Sequence, residues 1–162
     1  MCDAVTRYRL SILVFDEVAD LARAIGELIG NGVEPEQLGI VGLRQSLDAL
    51  AVPGEVDAET KHVTHLLAAT DLPLRLDGAA DLVVRGASGM RALLRQPQQP
   101  VGTFDWMQDE RREALAGHAA KGAVILLVSA ATAEQHAKSA GILLRHGRHN
   151  LQTHVFTRPN PR

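Results

Sequence analysis

Histidine and arginine are the residues of this 162-residue chain whose spacing invites chemistry. Seven histidines are present, and two pairs of them stand three residues apart. His62 and His65 fall in a stretch whose pattern predicts a helix from Asp57 to about Thr70, where residues i and i+3 share a face. Such a pair can donate two nitrogens to zinc or nickel, with Glu59 one turn upstream. The plain alternative is a solvated helix face. His146 and His149 straddle a predicted helix end, where a cation facing the negative end of the helix dipole explains them equally well. A second constellation is Gly86-Ala87-Ser88-Gly89, preceded by Arg85 and followed by a predicted helix bearing Arg91 and Arg95. Backbone N–H groups at such a helix start can hold a small anion, with Gly86, Ser88, Gly89 and Arg91 as the candidate contacts. The segment lacks the Lys-Ser/Thr ending of a phosphate-binding P-loop, and a turn capped by Ser88 accounts for the same residues.

Other chemistry finds less footing. No Gly-x-Ser-x-Gly nucleophile elbow occurs; the 86–89 segment is one residue short of it. The single cysteine, Cys2, permits no internal disulfide, and no neighbour would lower its pKa. Only 3% of residues are aromatic, which argues against nucleic-acid binding by base stacking. No catalytic residue and no cofactor emerges from this reading.

The elements that must position these residues form two similar units. Tyr8–Phe15 reads as a strand that becomes continuously apolar. Asp16 is placed to cap a helix whose Val18, Leu21, Ala22, Ile25, Leu28 and Ile29 recur at spacings of three and four. Gly30-Asn31-Gly32 ends that helix, and Leu38–Gly42 is a second strand. The order recurs with a strand at Ala123–Ser129, a helix capped by Ser129 or Thr132 and running to about Gly147, and a strand at Leu151–Phe156.

Together these predict one domain over residues 1–162. Residues 8–42 form the first β-α-β unit, 43–122 an insert, 123–156 the second unit, and 157–162 a frayed tail. The expected fold is α/β of ferredoxin-like type, an α+β sandwich with a four-stranded antiparallel sheet in the order 4-1-3-2 and both helices on one face. The insert is too long for a loop and reads as largely helical. Within it lie the 57–70 helix ended by Asp71-Leu72-Pro73, a short strand or buried coil at Leu82–Val84, a short helix from Ser88 to Arg95, and a helix from Asp105 to Lys121.

The net charge of −2 conceals an asymmetry. Residues 1–60 carry eleven acids and four bases, whereas 135–162 carry five bases and no acid. Side-by-side packing of the two unit helices explains this, with Asp16, Glu17, Asp20 and Glu27 on one and Lys138, Arg145 and His146 on the other. An anion site at the basic end is the alternative.

The first ten residues are interrupted by Asp3, Arg7 and Arg9, so no signal peptide is read there. The longest uncharged run, Gly122 to Ala133, is too short to span a bilayer, which needs about 20 apolar residues. A cytoplasmic protein with no membrane partner is expected.

The strand Leu10–Phe15 with its Asp16 helix, Leu38-Gly-Ile-Val-Gly42, the Trp106–Lys121 helix, Gly122 and Ala123–Val128 together resemble the YflT-like domain of bacterial general stress proteins. The likeness covers residues 8–44 and roughly 104–156. It implies a stress-associated or regulatory setting and no catalytic residues. The function expected is therefore non-enzymatic, through self-association as a homodimer or through binding of a small anionic ligand. Metal or anion binding around His62/His65 or Arg85/Arg91/Arg95 is the alternative. Dimerisation is favoured by edge strands and by a sheet face that two helices leave open, unless the insert covers that face.

Overall fold

A computed structural model describes residues 5–34, 37–50, 71–76, 79–86, 109–146 and 151–159. The chain runs β1 (Val5–Phe15), α1 (Val18–Gly30), β2 (Leu38–Leu43), α2 (Arg44–Leu50), β3 (Asp71–Leu76), β4 (Ala79–Gly86), α3 (Asp109–Ala120), β5 (Val124–Ala130), α4 (Ala133–His146) and β6 (Gln152–Pro159). The strands form one six-stranded sheet in the order β3-β4-β2-β5-β1-β6, and every pairing is antiparallel.

The protein is thus mixed α/β, but the sheet is wider than the four strands expected. The two additional strands come from the insert. Leu76 is opposite Ala79, so β3 and β4 are joined across the two residues Asp77-Gly78. Asp-Gly between two apolar runs is a strong short-range hairpin signal. β4 then pairs along β2 from Gly39–Gly86 to Leu43–Leu82, so β2 is an interior strand and not an edge. Asp71-Leu72-Pro73 opens β3; the helix expected to end there, over 57–70, lies outside the described residues. Proline is accommodated there because β3 is an outer strand of the sheet, where a missing N–H costs no ladder bond.

Alternation along the inner strands divides the core in two. Leu13 and Phe15 of β1 with Val124, Leu126 and Val128 of β5 face α1 and α4. Leu10, Ile12 and Val14 with Ile125 and Leu127 face the opposite way, where Leu115, Ala116 and Ala119 of α3 pack. Both faces of the inner strands are buried, which is why Ile12–Phe15 of β1 and Val124–Val128 of β5 read as continuous apolar runs. The insert therefore covers the face that the two unit helices leave open.

The helix ends show how local sequence closes each unit. At the end of α1, the Val33 N–H bonds the Leu28 carbonyl at 3.0 Å and the Gly32 N–H bonds the Ile29 carbonyl at 3.1 Å. At the end of α3, Ala123 to His118 and Gly122 to Ala119 repeat the pattern at 3.1 and 3.0 Å. These are Schellman motifs, which require a left-handed residue, and Gly32 (φ 96°) and Gly122 (φ 95°) supply it. Val33 and Ala123 follow directly and are buried, so each motif turns the chain back into the core.

Two boundaries differ from the sequence expectation, and at a third the structure selects Thr132 from the two caps expected. The α1 cap is Glu17, not Asp16, and it makes no side-chain capping bond. The α4 cap is Thr132, whose Oγ1 accepts the Gln135 N–H at 3.1 Å, while Gln135 Oε1 accepts the Ala131 N–H at 3.2 Å. Residues 157–159 belong to β6 and not to a frayed tail, because β1 begins at Val5 and supplies partners as far as Val5–Pro159.

Candidate functional site

α1 follows β1 and α4 follows β5, and those strands are antiparallel, so the two helices run antiparallel on one face of the sheet. Their seam is electrostatic. Glu27 accepts from both Arg145 and His146. The His146 hydrogen bond is the main influence holding the Glu27 carboxyl below its ordinary 4.5, with Arg145 assisting and desolvation opposing. Nearer the other end of the seam, Lys138 Nζ donates to the Asn31 carbonyl at 3.4 Å. The acidic front and basic end of the sequence thus meet at named residues of adjacent helices.

A cleft of about 270 Å³ lies where the α1–β2 turn meets the first turns of α4, lined by Asn31, Gly32, Gln37, Glu134, Gln135 and Lys138. Gln37 is its structural hinge. Its Nε2 donates to the Ser129 carbonyl at 2.8 Å and its Oε1 accepts the Glu34 N–H at 2.9 Å. Ser129 Oγ donates back to the Gln37 carbonyl at 3.4 Å. The start of β2 is thereby tied to the end of β5.

Beneath α4, buried Ser11 of β1 stands 3.5 Å from His136 Nδ1. The pair supplies a polar contact inside an otherwise apolar seam. On the opposite face of the sheet, half-buried His154 of β6 is held below its ordinary 6.5 by burial and then by the Arg111 guanidinium.

The β6 side of the molecule has a different character. β6 is the last strand of the described sheet. Val155 on it is 58% exposed, and Leu144 on α4 is 64% exposed. These are the two large hydrophobic side chains left exposed among the described residues. Val155 is opposite Arg9 in the register, which puts it on the α1/α4 face together with exposed Thr153.

Most of the sequence-derived site residues are not among the residues that the structure describes. His62, His65, Ser88, Gly89, Arg91, Arg95 and His149 lie outside the described residues. Gly86 is the last residue of β4, and Arg85 is buried within that strand. Among the described residues, no group of three or more His, Cys, Asp or Glu is arranged to hold a metal. His146 is engaged by Glu27. Phe15 is buried in the core, so it is no platform for a base. Among the described residues, no helix is long and apolar enough to cross a membrane.

Compared with known protein families, curated proteins and solved structures, the chain matches none.

Sequence reasoning missed Gln37 and the β6 surface. Gln37 precedes the strand Leu38–Gly42 and carries no motif; only the fold brings it to Ser129, 92 residues away. Val155 was legible as one face of an alternating strand, but its exposure depends on the strand order.

Proposed function

We propose that the protein is a non-enzymatic domain that works by self-association through the β6 side of its sheet. The observation that carries this reading is Val155, a β-branched apolar side chain 58% exposed on an outer strand. An outer strand presents unpaired backbone N–H and C=O groups, and proteins commonly blunt such edges with charge, a bulge or a covering loop. Here the middle of the strand, Thr153-His154-Val155, carries no permanent charge at neutral pH.

The strands β6-β1-β5-β2, with α1 and α4 on one face, support reading the inner part of the fold as ferredoxin-like, in the order 4-1-3-2, with β3 and β4 as an extension. The resemblance to YflT-like domains supports a stress-associated or regulatory setting in a bacterial cytoplasm. The covering of the second face by α3 favours edge association over face-to-face packing.

Light scattering across a concentration series tests the proposal. The expected mass is twice the 17.4 kDa of the chain. A mass of one chain at every concentration would overturn it.

A further inference from the structure

We draw no further inference here: the strongest candidate, the cleft between the α1–β2 turn and the first turns of α4, carries nothing because the side chains of Asn31, Gln37, Gln135 and Lys138 that line it are engaged within the protein, and nothing among the described residues points to a ligand at the start of α4.

Discussion

Glu27 of α1 accepts a hydrogen bond from His146 of α4, across a sequence separation of 119 residues. The contact joins the two β-α-β units at the level of their helices, as the β1–β5 ladder joins them in the sheet. Glu27 lies near the negative end of the α1 dipole, an unfavourable place for a carboxylate. Arg145 and His146 offset that, and they occupy a favourable place themselves at the C-terminal end of α4.

Acid should therefore loosen the helix pair. The Glu27 pKa is lowered in the fold, so its contribution is complete above the ordinary 4.5 and disappears as pH falls through the lowered value. Melting temperatures between pH 3 and 6 should show wild type losing more than Glu27→Gln over that window. The difference should shrink in high salt, because the pair is exposed and screened. Parallel curves for the two proteins would refute this.

His154 gives a second, separate limb. Its folded pKa is depressed by burial and by Arg111, so the fold resists protonation that the unfolded chain accepts near 6.5. The unfolded state then binds more protons, and stability falls as pH drops below 6.5 toward the folded value. His154→Gln should flatten the stability profile between pH 5 and 7 while leaving the Glu27 limb in place. Urea midpoints at several pH values measure both.

The units that carry these contacts were legible because their signals are local. Strand, apolar helix face, glycine turn and strand follow one another twice, and each boundary depends on a few adjacent residues. The charge asymmetry was also legible as helix packing, because Glu27 and Arg145 lie on the two elements that the repeat places together. The width of the sheet was not. Pairing of β4 on β2 joins segments about forty residues apart, and the apolar run Leu82–Val84 does not distinguish a strand from buried coil. The Asp77-Gly78 pair held that information. The exposed pair Leu144 and Val155 was beyond reach from sequence, since each continues the apolar pattern of its own element and differs only in what covers it.

Glycine substitutions should separate by backbone conformation. Gly32→Ala and Gly122→Ala force a side chain into the left-handed region and should each cost about 1–2 kcal/mol. Gly26→Ala and Gly117→Ala lie within α1 and α3, and an added Cβ there meets nothing within 4 Å. They should stabilise by about 0.4–1 kcal/mol through the unfolded chain. Urea unfolding of the four variants measures this, and the same sign for both pairs would contradict the argument.

Core truncation should distinguish interior side chains from exposed ones. Leu126 is fully buried on β5 between β2 and β1 and faces α1 and α4. Leu126→Ala removes its contacts where neighbours on both flanking strands prevent collapse, and should cost about 2–5 kcal/mol. That is a large share of the roughly 5–15 kcal/mol typical of a domain. Leu144→Ala removes the same atoms from a side chain that is 64% exposed. Its effect on the monomer should be within about 0.5 kcal/mol. Urea unfolding of the two variants measures the difference. The Leu126→Ala deficit should be several-fold the Leu144→Ala deficit, and equal deficits would contradict the difference in burial.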